Sequence, residues 1–185
     1  IRLRSHGINK NDDPYLNHNQ AFTADIQNPW YYEMQELGYN YRLTDIQCAL
    51  ASSQLKKLDS FISKRKETVS YYDKKFESIK GIEPIQKKYR SISSHHLYVI
   101  RINYKKFEIT RADVMLKLKE KGIYAQVHYI PILQHPFYSD HFQNINNFPN
   151  AQNYYEECLS IPLFYKLTTK EQEEVIEKLK SVLKI

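Results

Sequence analysis

Apolar residues recur at helical spacing along much of this chain, and the longest such run begins at Thr44. Leu55, Ile62, Val69 and Phe76 fall seven residues apart, with Leu58 and Tyr72 between them. That spacing draws a stripe along one helical face. Lys56, Lys57, Lys64, Lys66, Glu67 and Lys74 occupy the other sides. Thr44 followed by Gln47 reads as a capping box, so the pattern predicts a helix over 44–76, with a break near Asp59-Ser60. Arg65 interrupts the stripe, which favours a helix packed on a core over a coiled coil.

Downstream, the period switches repeatedly. Gly81 closes the helical region, and 82–85 reads as a short strand. Residues 96–102 are rich in strand formers. Thr110 caps the next helix with Asp113 three residues on; Val114, Met115 and Leu118 face inward, and Gly122 stands at its C-terminal cap. Residues 123–129 read as a strand stopped by Pro131. A helix follows Pro149 over about 151–158, and 161–164 is a short extended piece. Thr168 with Glu171 opens the closing helix, lined by Val175, Ile176, Leu179, Val182 and Leu183.

Residues 1–43 lack periodicity and hold Pro14, Pro29 and Trp30. So long an irregular stretch suits a loop packed on another domain or subunit. The expected organisation is therefore α/β in three parts. Residues 1–43 are the mostly looped tail of a larger domain, and 44–76 is a long connecting helix. Residues 77–185 form a small α/β sandwich, its helices on one face of a mostly antiparallel sheet. The chain opens on Ile1 rather than Met, which reads as part of a longer protein.

Composition narrows the classes. Hydrophobic content of 42% and charged content of 26% over 185 residues describe an ordinary globular chain. The 16 Tyr accompany an excess of Lys, Asn and Ile, so codon usage explains most of them. The net charge of +6 is scattered in short runs such as Lys64-Arg65-Lys66 and Lys87-Lys88. A solvated surface fits better than a nucleic-acid site. No apolar run reaches the length of a membrane span, and residues 1–13 have no signal-peptide core. Cys48 and Cys158 form no CxxC pair, which fits a reducing cytosol. No glycine-rich phosphate loop is present among the four glycines.

Candidate chemistry is sparse. His128, His135 and His141, with the adjacent His95-His96, match no metal-binding spacing, so no metal is expected. Cys48 lies in the helical stretch beside Ala49 and Leu50 and reads as a buried structural thiol. His128 and Tyr129 sit at the rim of a strand ending at Pro131, where side chains can face a cleft. Composition alone favours an incidental surface His there. Asn40 and Arg42 precede the Thr44 cap; an amide and a guanidinium so placed suit an anion such as phosphate.

Three segments then occur in order: Arg4-Ser5-His6-Gly7; Gly38 to Gln47 with Ala49-Leu50; and Gly122-Ile123 through Val127-His128-Tyr129-Ile130-Pro131. Together they resemble the carboxyl-terminal half of nucleotide-sugar aminotransferases of the DegT/StrS family, fold type I enzymes that use pyridoxal phosphate (PLP). His96-Leu97-Tyr98 and Ala125 to Tyr129 are similar to the branch acting on a UDP-4-keto-6-deoxy-N-acetyl-hexosamine in pseudaminic-acid biosynthesis. The resemblance implies a cytoplasmic homodimer with shared active sites, glutamate as amino donor, and no nucleic-acid or membrane partner. It implies that Asn40 reaches across the dimer to the PLP phosphate. Arg42, His128, Tyr129, Ile130 and Pro131 would contact the nucleotide-sugar; Ile130 stands where relatives often carry Lys or Pro. The family's Schiff-base lysine lies upstream of the Arg-x-His-Gly segment, so no catalytic residue is assigned and this chain alone is expected to be inactive. The alternative expectation is a non-catalytic dimerising module or an anion- or nucleic-acid-binding one.

Overall fold

Three threonines set where the principal helices begin in the computed structural model. Thr44 Oγ1 accepts from Gln47 N–H at 3.3 Å while Thr44 N–H donates to Gln47 Oε1 at 2.9 Å. Thr168 and Glu171 repeat the arrangement at 3.2 and 2.8 Å. Thr110 Oγ1 accepts from Asp113 N–H at 3.1 Å. Each pair satisfies donors that the first helical turn leaves open.

The structure describes residues 2–10, 13–85, 92–139 and 147–185. Lys87-Lys88 and His141, which entered the sequence reading, lie outside them. The chain divides into two compact units, 1–56 and 57–185.

The first unit holds short elements: β1 (Ile8–Asn9), α1 (His18–Ala21), β2 (Phe22–Thr23), β3 (Ile26–Gln27), β4 (Glu33–Met34) and α2 (Asp45–Leu55). β1 pairs with β4 and β2 with β3, both antiparallel. Polar side chains do much of the tying. The Glu33 carboxylate accepts from Gln35 Nε2 at 2.6 Å, Leu16 N–H at 2.5 Å, Tyr31 O–H at 2.7 Å and Asn17 N–H at 3.2 Å. These donors, Gln35 foremost, hold its carboxyl down at about 2. Among the described residues of this unit only Gly7, Asn9 and Ala21 are buried.

The second unit contains α3 (Leu58–Phe76), β5 (Ile82–Pro84), β6 (Tyr98–Ile102), α4 (Arg111–Glu120), α5 (Pro136–Ser139), α6 (Pro149–Glu157), β7 (Cys158–Ile161) and α7 (Thr169–Leu183). The sheet is antiparallel in the order β5-β6-β7. Its register sorts side chains by face. Ile102 pairs with Ile82, Ile100 with Leu159 and Tyr98 with Ile161, and all six join the buried core. α3 adds Val69, Tyr72 and Phe76; α4 adds Val114 and Leu118; α7 adds the five apolar residues read from its stripe. The alternate positions, Val99 opposite Ser160 and Arg101 opposite Cys158, point to the other face. There Arg101 Nε meets Glu157 of α6 at 2.8 Å.

Four expectations are corrected. The 44–76 helix is two helices, parted at Lys56-Lys57 rather than at Asp59-Ser60. Cys48 is exposed, because all 11 residues of α2 are exposed and nothing in its unit packs on it. The strand read over 123–129 makes only one bridge, Gln126 with Ser160. Ile123 and Ala125 alternate inward as a strand would, but backbone pairing with β7 stops at that one bridge. That last strand lies at Cys158–Ile161, not at 161–164, since Pro162 cannot donate to a ladder. The Gly122 expectation holds: Ile123 N–H returns to Leu118 C=O at 2.8 Å and Gly122 N–H to Lys119 C=O at 2.9 Å. With Gly122 at φ +79°, this is a Schellman closure.

Candidate functional site

Asn40 and Arg42 stand on an extended segment between Gly38 and the Thr44 cap. The first and second sequence segments meet here. Tyr39 N–H donates to Leu3 C=O at 2.6 Å, Tyr41 N–H to Arg4 C=O at 2.8 Å, and His6 N–H to Tyr39 C=O at 2.9 Å. Ser5 and Asn40 form an antiparallel bridge. Two glycines permit the approach. A Cβ on Gly38 would lie 2.1 Å from Gly7 N, and one on Gly7 would lie 1.7 Å from Glu36 O. Gly7 also takes φ +71°.

The rings of Tyr39 and Tyr41 stack, centroids 5.0 Å apart and planes 9° apart. Alternation along extended backbone therefore directs Asn40 and Arg42 to the opposite side together. Both are exposed. Among the described residues neither side chain has a hydrogen bond or ion pair. The result is one amide and one guanidinium, both open, just before a capped helix N-terminus.

His128, Tyr129, Ile130 and Pro131 belong to the second unit. His128 is half-buried, and its Nδ1 lies 2.7 Å from Ser160 Oγ. Tyr154 O–H donates to His128 C=O at 3.0 Å, and burial raises the Tyr154 hydroxyl above its ordinary pKa. Tyr129 packs edge-on against His128, centroids 4.6 Å apart, yet remains 69% exposed. The His128–Tyr129 peptide is cis. His128 and Tyr129 line a pocket of about 270 Å³ with His96, Val99 and Tyr154. Ile130 and Pro131 are outside that lining; Ile130 is 45% exposed.

Ser160 and Tyr154 escaped the sequence reading. With β7 set at Cys158–Ile161, alternation against Leu159 and Ile161 marks Ser160 as the polar residue on the second face. Tyr154 carries no such signal. Among the described residues no group of three His, Cys, Asp or Glu side chains is placed to hold a metal ion. No helix of the described residues is long and apolar enough to cross a membrane.

The family model of the DegT/DnrJ/EryC1/StrS aminotransferases matches residues 1–180. The chain belongs to this family. Among DegT-family relatives, a Campylobacter jejuni protein named UDP-4-amino-4,6-dideoxy-N-acetyl-beta-L-altrosamine transaminase is 38% identical over 181 residues. That match covers 98% of this chain and 43% of the relative. The solved structure of Helicobacter pylori PseC, described as an aminotransferase of pseudoaminic acid biosynthesis, superposes with a TM-score of 0.80 at 28% identity. It covers 99% of this chain and 44% of that one. A putative sugar aminotransferase from Streptococcus pneumoniae, solved in its PMP form, gives a TM-score of 0.80 at 26% identity, covering 99% and 43% of the two chains. The same protein is also known in a PLP form. The chain thus spans less than half the length of the DegT-family relatives it matches.

Proposed function

We propose that this chain is the carboxyl-terminal part of a PLP-dependent aminotransferase that transfers an amino group from glutamate to a UDP-4-keto-6-deoxy-N-acetyl-hexosamine. Its product would enter pseudaminic acid or a related glycan. Family membership supports amino transfer, and the names of the Campylobacter and Helicobacter relatives support the sugar class. The PLP and PMP forms of the Streptococcus relative support the cofactor.

The observation that carries the reading is the pairing of 3–6 with 39–41, which leaves Asn40 and Arg42 side by side with open donors. A neutral amide and a fixed cation before a helix N-terminus fit the phosphate of PLP and the acidic diphosphate of a nucleotide-sugar. PLP, when bound, supplies the electron sink for amino transfer.

This chain's own residues bind and orient. Asn40 donates its side-chain N–H to a phosphate oxygen of the cofactor, held mainly by the other subunit of a homodimer. Arg42 pairs with the nucleotide-sugar. In the second unit, His128 and Tyr129 are nucleotide-sugar contacts at their own pocket, and Ile130 and Pro131, outside its lining, are the contacts that follow them in the chain. These contacts raise the fraction of correctly oriented substrate rather than move protons. No residue here is assigned a covalent role.

The test uses the whole polypeptide that carries this chain. Purified, it is expected to show the PLP absorbance band and to aminate a UDP-4-keto sugar with glutamate. Asn40→Ala should weaken cofactor retention, and Arg42→Ala should raise KM for the sugar. A purified protein that never binds PLP overturns the reading.

A further inference from the structure

Ser160 lies on the sheet face turned away from the core and is only 5% exposed. Its backbone and its side chain are tied to one neighbouring segment. Gln126 N–H donates to Ser160 C=O at 3.0 Å, and Ser160 N–H to Gln126 C=O at 2.8 Å. Two residues on, His128 Nδ1 sits 2.7 Å from Ser160 Oγ. Tyr154 O–H fixes the His128 carbonyl from α6 at 3.0 Å. The imidazole is therefore held at its backbone and at one ring nitrogen. Among the described residues, His128 Nδ1 is the one partner of the Ser160 hydroxyl, and His128 Nε2 has none.

A hydroxyl can bond to Nδ1 in two ways. It can accept from Nδ1–H, but then its own hydrogen is stranded at a buried position. It can donate to a bare Nδ1, and then only spare lone pairs go unused. Buried donors without partners are rarer and costlier than under-used acceptors. The second arrangement is favoured, and it forces the ring proton onto Nε2.

We propose that Ser160 is a positioning residue: by donating to Nδ1 it locks His128 as the Nε2–H tautomer. In the pocket that His128 lines with Tyr129, His96, Val99 and Tyr154, the His128 Nε2–H is then a fixed donor for an acceptor oxygen of the ligand. The ligand half of this inference rests on the nucleotide-sugar reading above; the tautomer half does not. Such a donor recognises a phosphate or carbonyl oxygen and gives nothing to a group that can only donate. Asn40 and Arg42 lie on a different unit and are not needed for it.

Long-range proton–nitrogen NMR of the 185-residue chain reads the tautomer directly. Nδ1 of His128 is expected at the unprotonated, pyridine-type position and Nε2 at the protonated one. Ser160→Ala should pull both toward averaged values, and Ser160→Thr, which keeps the hydroxyl, should restore them. An Nδ1–H signal in the unaltered chain, or a Ser160→Ala spectrum without change, overturns the positioning role. In the whole polypeptide, Ser160→Ala should raise KM for the UDP-4-keto sugar roughly tenfold, about the worth of one hydrogen bond, with kcat little changed. Tautomer control with an unmoved KM overturns the pocket's assignment to the nucleotide-sugar instead. The two failures are thus told apart.

Discussion

Gly38 shows what a single residue contributes here. Its Cα passes so close to the other segment that an added Cβ would fall 2.1 Å from Gly7 N and 2.9 Å from Gly7 Cα. Both neighbours are backbone, so no side chain can swing aside. Gly38→Ala should therefore force 38–41 away from 3–7 and cost more than about 2 kcal/mol locally. The check is amide hydrogen exchange at Tyr39, Tyr41 and His6, the three donors that join the segments. Their protection should fall while amides of β6 and β7 keep theirs; unchanged protection at all three sinks the argument. At this scale the sequence was partly legible. Asn40 and Arg42 stood out because two donor side chains precede a capping box. The reason for Gly7 and Gly38 was not legible, because a close approach between segments about thirty residues apart leaves no local pattern. Ser160 was hidden likewise: its partner lies 32 residues away.

Helix caps were the most legible elements, since a cap is a contact between residues three apart. All three threonine caps formed where the sequence put them. Their consequences differ. α7 buries Gln172, Val175, Ile176, Leu179, Val182 and Leu183, whereas α2 buries nothing. A cap stabilises a fold only through the packing that its helix contributes. Thr168→Ala should therefore lower the unfolding free energy of 57–185 by about 1 kcal/mol. Thr44→Ala should fray the first turn of α2 and leave that transition where it was. Denaturant melts followed by tyrosine fluorescence separate the two; equal shifts would refute the distinction. The segment 123–129 was misread because alternation reports which side chains turn inward, not whether the backbone pairs with a neighbouring strand. The break at Lys56-Lys57 was equally silent, since both lysines suit a helix interior.

At the scale of the whole chain, burial is divided very unevenly between the two units. The second has a continuous core built from one face of its sheet and from α3, α4 and α7. The first buries three described residues, one of them Asn9, whose side chain bonds Asp13 N–H at 3.2 Å and C=O at 2.7 Å. Meanwhile Ile46, Leu37 and Trp30 stand 83%, 85% and 73% exposed. Apolar burial supplies most folding free energy, so the first unit has little of its own. The lack of apolar periodicity in 1–43 agrees with this sparse burial. Native-state hydrogen exchange should accordingly show amides of 2–56 opening at far lower free energy than those of β6, β7 and α7. Leu179→Ala sharpens the test. Leu179 is fully buried on α7, and its truncation should cost about 2–5 kcal/mol. Protection across 57–185 should drop by that amount, and the already low protection of 2–56 should stay put. If both regions lost protection in step, the two units would be one cooperative body, and the weakness of the first would need another cause.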